Sequence, residues 1–246
     1  MRAPVRDSSI PRPILAGILL CFFLSGAAGL IYQVAWGKAL GLVFGNTVYA
    51  ISTILAVFMG GLALGSAYLG RWSERYPNAV ALYGWIELLI AATGALSLLG
   101  LAGVRHLYFA AYPVVSGFMP ALVALRFVGA AVVLLLPTFL MGGTLPILVS
   151  GLTRRSAELG ARVSRLYWIN TLGAVAGTFA AGFLFLPALG LRLTVALAVA
   201  LNLLAGVIAL LLARAVPSSA PSDETAEATA LPSPPATAEI PRYLLV

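Results

Sequence analysis

Ala79-Val-Ala-Leu-Tyr-Gly-Trp-Ile-Glu-Leu-Leu-Ile-Ala-Ala-Thr-Gly-Ala-Leu-Ser-Leu-Leu-Gly-Leu-Ala-Gly-Val104 decides the fold of this chain. It is predominantly apolar, and Glu87 is its one charged residue. A helix needs about 20 such residues to cross the hydrocarbon layer of a bilayer. The stretch shows no period-two alternation, which a transmembrane barrel strand of about ten residues would require. A helix is therefore expected, because lipid offers the backbone no partners and a helix supplies its own.

Five further runs of the same kind lie to either side: Ile14–Trp36, Thr47–Gly70, Ala121–Ser150, Leu166–Pro187 and Leu191–Ala213. Across the chain 61% of residues are hydrophobic and 9% are charged. Soluble domains average about 25% charged residues. The fold class expected is all-α integral membrane, a six-transmembrane-helix bundle.

Almost every charge falls between the runs, and the charges carry the topology. Arg2, Arg6, Arg12, Arg71, Arg75, Arg154, Arg155, Arg162, Arg165, Arg214 and Arg242 fall on one side of such a bundle. Lys38, Arg105, Arg126 and Arg192 fall on the other. The positive-inside rule then puts both termini in the cytoplasm, N-in and C-in, of a multi-pass protein of the cell inner membrane. The net charge of +7 is a topology signal. No basic stripe interleaved with aromatics calls for nucleic acid. Arg2–Arg12 and Ser25-Gly26-Ala27 have signal-peptide features, but the apolar run continues to Trp36, so cleavage is not expected. Cys21, the one cysteine, allows no intrachain disulfide.

Residues 1–13 form an N-terminal cytoplasmic tail and 14–213 the membrane domain. Residues 214–239 are rich in Pro, Ser, Ala and Thr and are expected to be a disordered linker. Ile240-Pro-Arg-Tyr-Leu-Leu245 echoes Ile10-Pro-Arg-Pro-Ile-Leu15, so 240–246 reads as the start of a second unit or as coincidence.

Glu87 is the candidate substrate or proton site. It lies about eight residues into its run, ~12 Å from the cytoplasmic end. An ionised carboxylate at that depth costs several kcal/mol unless it is paired or wet. Gly84, Ala91 and Gly94 share its face, so it should meet protein rather than lipid. A proton site, a cation contact, and a buried carboxyl bonded to a neighbouring helix all remain open. Arg126 is expected to snorkel to the outer interface, at a depth that does not match Glu87. Asn46, Asn170 and Asn202 are expected at helix starts or in interhelical hydrogen bonds.

Small residues recur at helical spacing, which lets helices approach closely in lipid. The stripes are Ser52, Ala56, Gly60, Ala63 and Ala67 in run two, and Asn170, Ala174, Gly177 and Ala181 in run five, with Gly173-x-x-x-Gly177. In run four, Pro137, Gly142, Gly143 and Pro146 predict a kink or local unwinding. Broken helices hold the binding sites of many transporters, although a packing kink is the plainer reading.

No catalytic residue is expected here. The sequence has no Cys/His cluster, no H-E-x-x-H, no G-x-S-x-G and no P-loop. The lone His106 is not a metal site. No cofactor or metal is expected in these residues.

Two stretches carry a resemblance. One runs from Leu24-Ser-Gly-Ala-Ala-Gly-Leu-Ile-Tyr-Gln-Val-Ala-Trp36 through Phe44-Gly-Asn-Thr-Val-Tyr-Ala50 and Phe58-Met-Gly-Gly-Leu-Ala-Leu-Gly-Ser66 to Gly70-Arg71. The other includes Met141-Gly-Gly-Thr-Leu-Pro146, Asn170-Thr-Leu-Gly-Ala-Val-Ala-Gly177 and Leu186-Pro-Ala-Leu-Gly-Leu-Arg192. Together they resemble the membrane part of bacterial spermidine synthase-like proteins, a major-facilitator-like segment fused to an aminopropyltransferase. Such proteins commonly have Glu where Gln33 stands, so this chain lacks one intramembrane acid.

The resemblance implies that Gly70, Arg71, Glu74 and Arg75 form a facilitator-type cytoplasmic loop. It also implies a polyamine-related context, with decarboxylated S-adenosylmethionine as donor in a domain beyond this chain. The leading expectation is a membrane module that anchors or serves that domain. The alternative is half of a small-solute transporter, working as a homo-oligomer or with a second membrane half. The bilayer is the one partner both expectations share.

Overall fold

The computed structural model describes residues 11–73, 75–153 and 159–215. The tail up to Ile10, Glu74 of the loop, and most of the 214–239 and all of the 240–246 segments lie outside these residues. The described chain is helical: α1 (Arg12–Phe44), α2 (Val48–Ser73), α3 (Ala79–Val115), α4 (Met119–Thr153), α5 (Leu159–Phe179), a π-helical segment (Ala180–Phe185) and α6 (Leu186–Ala213). Among the described residues, five continuous helical stretches are long and apolar enough to cross a membrane, the last being Val163–Ala213.

That last stretch of 51 residues would be ~76 Å long if straight, more than twice a ~30 Å hydrocarbon layer. It is not straight. Gly190 takes φ 72°, ψ −179° inside it, a conformation essentially confined to glycine. The π-helical segment precedes Pro187, which removes a donor from the helical ladder; Leu186 N–H bonds back to the Ala181 carbonyl instead. The break falls in the gap expected between runs five and six.

Contacts fix the sense of each rod. On α5, Asn170, Gly173 and Gly177 meet Phe22, Phe23 and Ala27 of α1 in ascending order, so these rods are parallel. On α6, Leu212 meets Gly17, and the Asn78 side chain bonds to the Ala213 carbonyl, so α6 runs against α1 and α3. Ascending contacts also join α2 to α4: Gly65 at Phe139, Gly70 at Pro146, Ser73 at Ser150. Thus α1, α3 and α5 point one way and α2, α4 and α6 the other. The start of α1, the α2–α3 turn and the ends of α4 and α6 share one end of the bundle.

The main packed pairs are α2 with α4, α1 with α5, α3 with α6, α1 with α6, and α3 with α4. Exchanging α1 with α4, α2 with α5 and α3 with α6 maps this set onto itself, with every direction reversed.

The seams are made by small residues, as expected, but not everywhere by the expected ones. Gly173 and Gly177 on α5 and Ala181 in the π-helical segment are buried. On α2, Ser52, Ala56, Ala63 and Ala67 are exposed and nothing lies near Gly60; the packed stripe is Thr53, Val57, Gly61 and Gly65. Two interleaved small stripes occupy one helix, and only shape complementarity with α4 chooses between them. The outward faces carry large apolar side chains such as Leu42, Leu99, Val132 and Phe183, which suits lipid.

Candidate functional site

Glu87 is fully buried where α3 crosses α6 and α1. The crossing is close because two glycines face each other. A methyl group placed on Gly206 would lie 3.0 Å from the Gly84 carbonyl oxygen. One turn along each helix, the seam holds Glu87 and Asn202. Asn202 Nδ2 donates to Glu87 Oε2 at 2.6 Å. The hydroxyls of Ser25 on α1 and Tyr83 on α3 flank the carboxyl group, and no cationic side chain faces it among the described residues. Glu87 Oε1, Asn202 Oδ1, Tyr83 OH and Tyr32 OH are buried without a hydrogen-bond partner.

The sequence expectations for this face hold. Gly84, Ala91 and Gly94 are buried with Glu87, and Gly94 receives the Tyr32 hydroxyl end. Tyr32 stacks on Trp36 with ring centroids 4.8 Å apart, and Trp36 Nε1 donates to Ser97 Oγ at 2.8 Å. Asn170 bonds to the Phe22 carbonyl between helices. The pairing of Asn202 with Glu87 was not foreseen. Its signal is depth: measured from the Asn78–Ala213 bond, the two residues rise ~14 Å and ~17 Å at 1.5 Å per residue.

Arg126 does not snorkel. It is 7% exposed, and its Nε donates to Tyr108 OH at 3.4 Å. The reason is length. Helix α3 continues to Val115 and α4 begins at Met119, so Arg126 sits two turns inside the packed pair. It makes no contact with Glu87, as its depth implied.

Helix α4 is continuous through Pro137, Gly142, Gly143 and Pro146, without unwinding. The glycines admit α2 instead: Gly142 meets the Leu62 carbonyl and Gly143 meets Leu69. Thr138 Oγ1, beside Pro137, donates to the Leu134 carbonyl at 2.7 Å. At the loop, Gly70 packs on Pro146, and Arg71 lies in the last turn of α2. Arg75 N–H bonds to the Trp72 carbonyl.

A groove of about 360 Å³ opens between α1, α2, α4 and α5, lined by Gln33, Asn46 and Thr178 among apolar side chains including Trp36 and Phe58. Glu87 is not part of it. The structure therefore separates two polar features: a closed acid–amide pair in the α1–α3–α6 seam, and an open groove beside Gln33. No group of three His, Cys, Asp or Glu able to hold a metal exists among the described residues.

Against curated proteins, the chain is 30% identical over 174 residues to Polyamine aminopropyltransferase 1 of Streptomyces coelicolor, covering 70% of this chain and 29% of that protein. The chain is distantly homologous to polyamine aminopropyltransferases. Polyamine aminopropyltransferase 2 of Streptomyces coelicolor is 28% identical over 203 residues, 80% of this chain and 33% of that protein. Polyamine aminopropyltransferase 1 of Ralstonia nicotianae is 27% identical over 187 residues, 74% and 32% of the two chains. The chain thus spans about a third of the length of these relatives. No family model matches the chain, and no solved structure matches it.

Proposed function

We propose that this chain is the membrane module of a polyamine aminopropyltransferase-related protein, and that it anchors or serves a catalytic domain outside these residues. One observation carries this reading: 70% of the chain aligns with Polyamine aminopropyltransferase 1 of Streptomyces coelicolor, yet the match covers only 29% of that protein. A helical bundle with lipid-compatible outer faces is what a shared membrane segment would look like. In this reading the six rods cross the inner membrane with both termini in the cytoplasm. The helix ends near Arg12, Arg71 and Arg214 share one end of the bundle, which supports that orientation.

The test is to follow the reading frame past Val246 and assay membranes for aminopropyl transfer from decarboxylated S-adenosylmethionine. A Gly-rich transferase unit with membrane-bound activity is expected. Deleting Met1–Ala213 should release that activity into the soluble fraction. A stop codon directly after Val246 would sink the proposal.

A second reading, half of a facilitator-type transporter acting with a second half or a second copy, draws support from the self-mapping helix pairs. Inverted repeats of that kind recur in transporters. The groove beside Gln33 would then be the solute path. Reconstituted protein should show solute flux that Gln33→Leu reduces; flux indifferent to Gln33 would remove the groove from the path.

A further inference from the structure

Glu87 and Asn202 share one hydrogen bond and leave one acceptor each. Nδ2 donates to Oε2 at 2.6 Å, while Oε1 and Oδ1 are buried and accept nothing. A buried acceptor without a donor loses its water bonds and gains none in return. With an ionised carboxylate, no hydrogen exists on the pair that could reach both oxygens. Tyr83 OH or Ser25 could turn toward Oε1, but that leaves Asn202 Oδ1 unpaired.

A carboxylic acid and a primary amide have a better arrangement. The amide N–H donates to one carboxyl oxygen, and the carboxyl O–H donates back to the amide oxygen. Half of that ring is already formed here. We propose that Glu87 and Asn202 form a proton-binding site, in which a single proton on Glu87 Oε1 bonds to Asn202 Oδ1 and closes an acid–amide ring between α3 and α6. The proton comes from water; the pair is neutral with it and carries one negative charge without it.

The surroundings fit a proton rather than a larger cation. Glu87 lines none of the described cavities, and a proton needs no volume. The titratable groups facing Glu87 are Cys21 and Tyr32 from α1 and Tyr83 from α3 itself. From α6 the pair receives Asn202. On α4, which also packs on α3, Arg126 is held at Tyr108, ~30 Å along α3 from Glu87. No neighbouring cation therefore competes with the proton for the carboxyl group.

The sign of the pH effect follows. The folded bundle holds the proton, so its contribution is complete at low pH and is lost as pH rises through the titration of the pair. The full chain in lipid should show the infrared C=O stretch of a protonated carboxylic acid, shifted in deuterium oxide and absent from Glu87→Gln. Asn202→Leu should move that band toward the position of a free acid. Glu87→Gln keeps both bonds as an amide–amide pair, so its melting temperature should stay flat with pH. The wild-type value should fall on the order of 5 °C toward alkaline pH. A Glu87 signal that is carboxylate alone at acidic and neutral pH overturns the proposal, and so does a Glu87→Gln stability profile that tracks wild type.

Discussion

Asn78 ties the first turn of α3 to the last carbonyl of α6. Its Oδ1 accepts from Ala81 N–H at 3.0 Å, and its Nδ2 donates to the Ala213 carbonyl oxygen at 3.0 Å. One side chain thus fills an orphan donor at a helix start and an orphan acceptor at a helix end. Asn78→Ala removes both bonds and should destabilise the bundle by about 1–2 kcal/mol. Asn78→Asp keeps the cap but loses the donor, so it should fall between Ala and wild type in unfolding by denaturing detergent. Equal losses for the two variants would mean that the link to Ala213 contributes nothing.

The α2–α4 seam makes a contrast between two glycines of α2. A methyl on Gly65 would run into the Phe139 carbonyl, whereas nothing lies near Gly60. Gly65→Ala should cost roughly 1–3 kcal/mol by overpacking. Gly60→Ala should be neutral or slightly stabilising, since Ala is the better helix former. Melting curves of the two variants, taken side by side in one detergent, decide it; the reverse order would reassign the packed stripe.

Gly190 should resist any side chain. At φ 72°, ψ −179°, a residue with a Cβ is strained by about 1–3 kcal/mol. Nothing crowds the position, so a loss of stability in Gly190→Ala would report backbone strain alone. An unchanged melting temperature would show that the turn between the rods can adopt another conformation.

The Arg126–Tyr108 bond should be modest. Interhelical hydrogen bonds within membrane proteins average ≈ 0.6 kcal/mol in double-mutant cycles. A cycle of Tyr108→Phe with Arg126→Met should return a coupling of about that size. A coupling of zero would leave Arg126 as packing only.

Much of this architecture was legible because lipid leaves the backbone little choice. The apolar runs gave rods at the observed places, and the gap after Pro187 coincides with the break at Gly190. The face of Glu87 was legible for the same reason, since Gly84, Ala91 and Gly94 repeat at helical spacing. What failed was rotation and partner choice. Gly60 and Gly61 differ by one position, and only contact with α4 separates the exposed stripe from the packed one. Run length also underestimated α3, which carries Tyr108 past the hydrophobic stretch to meet Arg126. Pro137 and Pro146 predict a kink or local unwinding, and α4 passes through both without unwinding. Asn202 was visible as a polar residue, but its partner needed the antiparallel register of α3 and α6.

The central claim is a six-crossing module with both ends on the cytoplasmic face, and cysteine accessibility tests it most directly. Cys21 is buried, so the wild-type chain gives a low background. Single cysteines would replace Asn46, Gly117 and Ala188 at one end of the bundle, and Arg75 and Arg214 at the other. A membrane-impermeant maleimide applied to intact cells should label the first three and spare the last two until the membrane is opened. Labelling of Arg75→Cys or Arg214→Cys in intact cells, or protection of Ala188→Cys from the outside, would contradict the account.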